Sequence, residues 1–463
     1  METPILTTEQ AAEAERLFQA LRPLLEDELR QLTRLLASKP DDKLLGKAEF
    51  EVRDRVHRIG AKAIEAALNG RKKGGNQGSS VSCPACHGPS KFQDRRDKTF
   101  VSLMGEIVLA GRASYLCPAC HSGHVPVDTA LGLSAPKLTP AAEELVTRAG
   151  TLDSFADAAE KLRPKMSGLR LSESTVERTT EAAGERLGGI WAGGSTLGPA
   201  ADWRWDRDAA GRAVAYVSVD ATGVGVPGEG GARAEGRMAW VGKVFNPRPE
   251  PADGAPKPYP PSARYQAGLM GLDVLGDRLR RQAAQVGMDR AERWVALTDG
   301  GSGLDDFMDV FFPRAVRVLD LYHAAEHLGD LAKAYLGGDA TAAEALTEQW
   351  SHQMKHEGGA AILATLEALE LEGRSPAARE ARRLVTGYVR NNLHRMDYPR
   401  YRQEGWQIGS GHIEAACKTV VNQRLKQSGM RWGGDGADAL CHLRALYEGE
   451  SGQCDAFWER SIN

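Results

Sequence analysis

The sequence lacks any run of about 18 apolar residues, so it predicts no transmembrane helix. Its first ten residues, METPILTTEQ, lack the basic and apolar regions of a secretory signal peptide, which favours a cytoplasmic location. The formal net charge is only −3, so any affinity for nucleic acid must come from local basic surfaces. Cysteines are few and odd in number, seven in all, and four of them lie in two Cys-x-x-Cys pairs. This usage favours a metal site in a reducing compartment over a disulfide framework.

The chain has 463 residues, enough for roughly three domains of about 150 residues. With 42% hydrophobic and 26% charged residues, its composition is that of an ordinary globular protein. Residues 1–70 form a predicted helical N-terminal region, because leucines recur at helical spacing from Leu17 to Leu35. This stripe is typical of a core, and a dimer interface is the alternative. The glycine-rich stretch 69–80 is predicted to be a linker.

Two CPAC strings lie 30 residues apart in the next segment, 81–130, and predict a zinc ribbon. Each pair supplies two thiolates, and Zn²⁺ takes four such ligands in a tetrahedron. The expected ligands of this structural Zn²⁺ are Cys83, Cys86, Cys117 and Cys120. His87 and His121 follow the pairs and are alternative ligands. Between the pairs, two β-prone runs broken at Gly105 and Gly111 predict hairpins.

Residues 138–190 contain three helical patterns separated by short breaks. The third follows Ser172, a predicted N-cap, and presents Thr175 and Arg178 in its first turns. A helix-turn-helix reads DNA with the N-terminal part of its second helix, so Thr175 and Arg178 are candidate DNA contacts. An ordinary three-helix bundle is the alternative.

Three apolar β-runs further along each end in an aspartate, and these are Asp220, Asp299 and Asp320. One such "strand then aspartate" is commonly only a turn. Three in order predict that carboxylates meet at one edge of a sheet. The third run continues into a helix that carries His323 and His327.

The stretch 406–432, WQIGSGHIEAACKTVVNQRLKQSGMRW, places a lone carboxylate, Glu414, at the head of a basic helix. An acidic residue in a first helical turn is favoured by the helix dipole, which is the simpler explanation. A metal-binding carboxylate beside a polyanion is the other. The cations that follow are candidate DNA contacts: Lys418, Arg424, Lys426 and Arg431.

Asp299 and Glu414 are separated by 114 residues, and most of them favour helices, so 331–404 is predicted to be an α-helical insertion. Arginines and aromatics alternate near its end, where Arg395 and Arg400 are candidate contacts to phosphates. A solvated face with buried tyrosines explains the pattern equally well. The proline-rich stretch 246–265 is predicted to be a surface loop.

The strings VDATGV, LTDGG, LDLYHAAEHL and IGSGHIEAACKTVVNQRLKQSGMRW resemble the catalytic blocks of bacterial insertion-sequence transposases of the DDE type. The group is the ISKra type, related to Mutator-like elements, and the likeness runs from the first Cys-x-x-Cys pair to about residue 448. It implies an RNase H-like core over 210–330 and 405–448. It also implies that Asp220, Asp299 and Glu414 bind two Mg²⁺ or Mn²⁺ ions, and that the family's Asp-x-x-His signature falls on Asp320 and His323.

Three crowded carboxylates repel one another and therefore need a cation, and hard oxygen ligands select Mg²⁺ or Mn²⁺. Two such ions can activate a water or a 3′-hydroxyl for attack on a phosphodiester. The expected fold is thus multidomain α/β, with a helical N-terminus, zinc ribbon, helix-turn-helix-like module and a mixed-sheet RNase H-like core that contains the helical insertion.

The hypothesis for function is a DNA transposase that cleaves element ends and transfers their 3′-hydroxyls into target DNA. Its implied partners are double-stranded DNA, as terminal inverted repeats and target, and further copies of the chain in a homodimer or larger oligomer. A non-enzymatic, domesticated DNA-binding protein and a metal-dependent nuclease without strand transfer are the alternatives. His323 is expected to orient a phosphate or a metal-bound group, or to be structural.

Overall fold

The computed structural model describes residues 6–38, 41–71, 75–133, 137–163, 168–201, 203–226, 235–247, 262–301, 303–409, 411–427 and 430–462. The chain divides into two compact units, Met1–Thr180 with Trp458–Asn463, and Glu181–Phe457. None of the helices in these described stretches is long and apolar enough to cross a membrane.

The first unit begins with two long helices, α1 (Thr8–Ala37) and α2 (Asp41–Arg71). A capping box starts α1, because the Thr7 hydroxyl accepts from the Gln10 amide and the Gln10 side chain accepts from the Thr7 amide. The leucine stripe is only partly covered, since Leu25 and Leu29 are exposed. A partly buried ion pair joins the helices, with Arg55 Nη1 2.9 Å from Glu28 Oε2. Helix α2 extends to Arg71 and therefore takes in the start of the predicted linker.

An antiparallel four-stranded sheet follows, with strands in chain order. Its strands are β1 (Ser80–Ser82), β2 (Pro89–Ser102), β3 (Gly105–Leu116) and β4 (Gly123–His124). The chain turns at Gly105, as predicted, but the predicted break at Gly111 is wrong. Gly111 has φ +59° within β3 and its amide donates to Asp97 Oδ1 over 2.7 Å, at a shift in the β2–β3 register. This is a β-bulge, which kinks a strand without ending it.

Four helices complete the N-terminal half: α3 (Pro126–Ala130), α4 (Pro140–Leu152), α5 (Phe155–Lys161) and α6 (Glu173–Ala192). The three predicted between 138 and 190 are thereby confirmed. Ser172 caps α6, since its hydroxyl accepts from the Thr175 amide over 3.2 Å. The cap satisfies an amide that the first helical turn leaves without an intrahelical partner.

The second unit is built on a mixed sheet with the order β10-β9-β6-β7-β8, and β5 pairs with β6. The strands are β5 (Asp206–Arg207), β6 (Ala213–Val226), β7 (Glu235–Asn246), β8 (Ser262–Gly268), β9 (Arg293–Thr298) and β10 (Ala315–Leu319). Strands β6, β7 and β8 are antiparallel neighbours, whereas β9 is parallel to both β6 and β10. Most of the predicted proline-rich loop, 248–261, lies outside the described residues.

Helices cover both faces of this sheet, which explains why β6 reads as a continuous apolar run. They are α7 (Leu272–Gln285), α8 (Leu304–Phe311) and α9 (Leu321–Leu336). On one face, Val217 of β6 is buried in a cluster with Leu275 of α7. On the other, Tyr216 is buried in a cluster with Leu328 of α9 and Trp350 of the next helix.

The predicted insertion consists of helices and their connecting loops, with no strand among its residues, all of which the structure describes. Its helices after α9 are α10 (Ala340–Glu357), α11 (Gly359–Glu367), α12 (Pro376–Asn392) and α13 (Tyr398–Gln403). A 3₁₀ turn, Leu393–Arg395, joins the last two. The chain ends in α14 (Gly411–Ala416), a π-helical turn (Cys417–Asn422), α15 (Gln423–Leu425), α16 (Gly434–Tyr447) and α17 (Ser451–Ile462). Residues 411–425 form one continuous helical segment, termed the 411–425 helix below.

Candidate functional site

The four predicted zinc ligands lie together in the first unit. Their sulfur atoms are all within 4.8 Å of one another, with Cys83 Sγ 3.6 Å from Cys120 Sγ and Cys86 Sγ 3.5 Å from Cys117 Sγ. Four sulfurs at the Zn–S distance of about 2.3 Å from a tetrahedral centre are about 3.8 Å apart. The cluster therefore fits a structural Zn²⁺ site. Cys83 and Cys117 are buried, and Cys86 and Cys120 are exposed.

The two Cys-x-x-Cys turns have the same local structure. The Cys83 carbonyl accepts from the His87 amide and the Cys117 carbonyl from the His121 amide, each over 2.9 Å. His87 and His121 have φ near +60°, the left-handed conformation that closes each turn. The Cys86 and Ala85 amides donate to the Cys83 thiolate and lower its pKa to about 6. The pKa values of Cys86 and Cys120 shift the other way, because hydrogen bonds to the neighbouring sulfurs raise them. The histidines close the turns, and the cluster comprises the cysteines.

The acidic residues of the second unit lie where its parallel strands end. The parallel pairing of β6 and β9 ends at Ser218 and Leu297, and that of β9 and β10 at Thr298 and Leu319. Asp220, Asp299 and Asp320 follow within two residues, so they lie at the same sheet edge. Strand β6 itself continues past Asp220 to Val226 along its antiparallel neighbour β7, so the prediction that this run ends at Asp220 is wrong.

The three aspartates differ in their surroundings. Asp320 is fully buried and caps α9, because its Oδ1 accepts from the Tyr322 amide over 2.9 Å. Asp220 and Asp299 are half-buried. Asp299 Oδ1 accepts from the Gly301 amide over 2.8 Å, within the glycine turn that follows β9. Asp320 therefore organises a helix, while Asp220 and Asp299 keep part of their carboxylates open.

Asp220 is close enough to Asp299 and Glu414 for their charges to affect its pKa. Its Oδ1 accepts from the Ala221 amide over 2.6 Å, and its Oδ2 accepts from the Cys417 thiol over 3.4 Å. Burial raises the pKa of Asp220, and the negative charges of Asp299 and Glu414 raise it further. The fold thus brings these three carboxylates within electrostatic range of one another, although they are far apart in sequence.

The carboxylates do not close into a compact ligand set of the kind that the cysteines form. Among the described residues, the cysteine cluster is the one group of three or more acidic, histidine or cysteine side chains with all ligand atoms within 4.8 Å. Carboxylate oxygens are the ligands that Mg²⁺ and Mn²⁺ prefer in proteins.

The 411–425 helix carries Glu414 in its first turn, exposed to solvent. Lys418, Lys426 and Arg431, on this helix and just beyond it, are also exposed. Arg424, by contrast, is 1% exposed, with its guanidinium 4.8 Å from the centre of the Trp432 ring. The expectation that Arg424 faces solvent is therefore wrong, because its charge is stacked on an aromatic ring inside the unit.

Histidines 323 and 327 lie beside the same edge, on α9. Their rings are 5.0 Å apart, and the His327 ring is 4.2 Å from that of Tyr388 on α12. Tyr388 in turn donates its hydroxyl to the Asp299 carbonyl over 3.2 Å. His323 Nδ1 lies 3.6 Å from Glu326 Oε2. Burial and the neighbouring His323 lower the pKa of His327. Tyr388 is a site residue that the sequence pattern did not single out.

The remaining predicted DNA contacts divide by exposure. Arg178 and Arg400 are exposed, and Thr175 is half-buried with its hydroxyl 2.8 Å from that of Ser172. The expected exposure of Arg395 is wrong, since this residue is only 4% exposed. Its guanidinium donates to Asn392, Thr298 and Asp305 over 2.8, 3.1 and 3.1 Å, respectively. These bonds hold the 3₁₀ turn against the end of β9.

Comparison of the sequence with models of protein families and with curated proteins found no match. The interpretation of the acidic edge therefore depends on its own geometry and chemistry. These are two half-buried aspartates where the parallel pairing ends, a third carboxylate on the adjoining helix, and exposed cations on that helix or just beyond it.

Proposed function

We propose that the chain is a DDE-type DNA transposase, which cleaves the ends of an insertion sequence and joins their 3′-hydroxyls to target DNA. The observation that carries the proposal is the convergence of Asp220, Asp299 and Glu414, from two parallel strands and one basic helix, at one sheet edge. Ligands in open α/β sheets bind at the carboxyl ends of the parallel strands, which supports this location for a site.

The topology supports an RNase H-like core for this site. Three antiparallel strands, β6 to β8, are followed by two strands that add in parallel beside the first, and this is the strand arrangement of an RNase H-like sheet. The helical insertion then separates the last core strand from the helix that carries Glu414. Both features agree with the sequence resemblance to ISKra-type transposases.

Asp220, Asp299 and Glu414 are the residues that would hold two Mg²⁺ or Mn²⁺ ions. Such ions supply activation of the attacking oxygen and stabilisation of the leaving oxygen of a phosphodiester. Lys418, Lys426 and Arg431 bind backbone phosphates beside the carboxylates, and His323 orients the scissile strand. The half-buried positions of Asp220 and Asp299 reduce their hydration, so they bind a cation more strongly than exposed acids would. The zinc cluster stabilises the first unit, in which Arg178 of α6 contacts DNA.

The test is a cleavage and strand-transfer assay on labelled duplexes that carry the element's own ends, with Mg²⁺ or Mn²⁺. Glu414→Gln removes one metal ligand and is expected to lower both activities at least about a hundredfold, because several kcal/mol of transition-state stabilisation are lost. Binding to the ends is expected to persist. Glu348→Gln, which changes an exposed carboxylate on α10, is the matched control and should behave as wild type.

Two outcomes would replace the proposal. End binding without any metal-dependent cleavage by the wild type would identify a non-enzymatic DNA-binding protein. Metal-dependent cleavage without joined products would identify a nuclease that lacks strand transfer.

A further inference from the structure

Lys243 is a buried lysine close to the proposed catalytic helix. It lies on β7 with only 7% of its surface exposed, and its Nζ donates to the carbonyl of His412 over 3.3 Å. The ammonium also lies 4.9 Å from the ring centre of Phe245 and 5.3 Å from that of Tyr265. The contacted residue, His412, comes two positions before Glu414.

Burying a lysine is costly unless the charge is paired. No carboxylate in the described part of the chain forms an ion pair with Lys243, and burial lowers its pKa to about 8. Its partners are one carbonyl and two aromatic faces, which attract a cation. The Phe245 and His412 rings pack 5.1 Å apart, so β7 holds residue 412 through both its backbone and its side chain.

A second attachment follows Glu414. Cys417 donates its thiol to Asp220 Oδ2 over 3.4 Å, and the Thr222 hydroxyl donates to Asn422 Oδ1 over 3.1 Å. Asp220 and Thr222 point to the same side of β6, being two residues apart. Cys417 and Asn422 are five residues apart, a spacing that the i→i+5 bonds of a π-helix bring to one side but an α-helix does not.

We propose that Lys243 and Cys417 are positioning residues that fix Glu414 from either side, Lys243 through residue 412 and Cys417 through Asp220. The 411–425 helix is no longer than isolated helices that are only marginally stable in water, and Glu414 is exposed in its first turn. Attachment to β7 before Glu414 and to β6 after it sets the distance from this carboxylate to Asp220. The catalytic consequence rests on the proposed function, whereas the anchoring itself does not.

The anchoring is tested by amide hydrogen exchange over residues 411–416, followed by mass spectrometry. Lys243→Met keeps the apolar stem but removes the donor, and is expected to speed exchange there about tenfold or more while α7 keeps its wild-type rate. Lys243→Arg retains a donor and should restore most of the protection. Lys333→Met is the matched control, since Lys333 is exposed on α9.

Cys417→Ala and Cys417→Ser apply the same test to the contact between the 411–425 helix and Asp220 of β6. These two variants decide the question if Lys243→Met does not fold. The serine hydroxyl can donate to Asp220, so it should protect residues 411–416 better than alanine does. Wild-type exchange rates in both Lys243→Met and Cys417→Ala would overturn the proposal. It would also be overturned if Lys243→Arg lost as much protection as Lys243→Met, and Cys417→Ser as much as Cys417→Ala.

Catalysis supplies a separate readout. Lys243→Met is expected to lower the single-turnover cleavage rate about tenfold or more. It should also raise the Mn²⁺ concentration that gives half-maximal cleavage about tenfold or more, with DNA affinity unchanged. If the wild type does not cleave DNA, the proposed function fails, while the exchange result still decides whether Lys243 and Cys417 hold the helix.

Discussion

Single side chains decide how the cysteine cluster is built. Each Cys-x-x-Cys turn ends in a histidine with a left-handed backbone, a conformation that costs a residue other than glycine about 1–2 kcal/mol. The sequence left both histidines open as alternative zinc ligands. In the structure, the cluster consists of four sulfurs and each histidine closes a turn.

His87→Gly should therefore retain zinc and leave stability unchanged or higher by up to about 1 kcal/mol, because glycine adopts positive φ without strain. Cys86→Ser should lose zinc and destabilise the first unit, since it removes one of four ligands. Metal content and thermal unfolding of the purified variants measure both effects. Equal zinc loss in the two variants would show that His87 is a ligand.

At the scale of elements, the helical insertion does more than separate two carboxylates in sequence. Tyr388 of α12 donates to the Asp299 carbonyl, and Arg395 of the following 3₁₀ turn donates to Thr298 and Asp305. The insertion thus holds the end of β9, at which Asp299 lies.

Arg395→Gln should lower the free energy of unfolding by about 2–4 kcal/mol, because it leaves buried acceptors without their charged donor. Arg400→Gln is the matched control. Arg400 is exposed and its ion pair with Asp397 measures 3.6 Å, so its loss should cost less than about 1 kcal/mol. Urea unfolding of each variant gives the comparison. Equal effects would contradict a structural role that is special to Arg395.

The same elements show what a sequence can and cannot predict. The apolar β-runs before Asp220 and Asp299 predict that these residues lie at one sheet edge, and the parallel pairing of β6 and β9 does end beside both of them. The continuation of β6 to Val226 depends on its pairing with β7 and was not predicted. The paired cysteines likewise predict their cluster from spacing alone. No sequence pattern predicts the burial of Arg395 and Arg424, since each depends on partners supplied by tertiary packing. The roles of Lys243 and Cys417 depend on contacts with residues 169 and 197 positions away, which no local pattern records.

At the scale of the whole molecule, one buried and two half-buried histidines make stability depend on pH. Burial lowers the pKa of His442, His412 and His327 below the ordinary value of 6.5. The unfolded chain therefore binds more protons than the folded chain as pH falls below about 6.5. Stability is full above that pH and declines below it, by up to about 1.4 kcal/mol per pH unit for each histidine.

His442 provides the clearest test, because it is 4% exposed and its Nε2 lies 3.1 Å from Arg278 Nη1. Wild type should lose stability between pH 7.5 and 5.5, and His442→Gln should show a smaller loss over the same interval. Burial raises the pKa of Asp206 to about 6, which makes the folded chain more stable as pH falls, opposite to the effect of the histidines. Asp206 is present in both proteins, so the difference in pH dependence between wild type and His442→Gln reports on His442 alone. Urea midpoints at both pH values measure it. An equal loss of stability in wild type and His442→Gln would show that His442 does not bind a proton on unfolding.

The contact between Cys417 and Asp220 spans 197 residues of chain. A ribosome that has made strands β6 to β10 has already produced Asp220 and Asp299, but not the helix that carries Glu414. At about 5–20 residues per second, the remaining stretch takes on the order of ten seconds to synthesise. During that interval the growing chain can carry its cysteine cluster and every strand of its mixed sheet, yet it lacks Glu414. Under the proposed function, a nascent chain therefore lacks one of its three metal-binding carboxylates until synthesis is nearly finished.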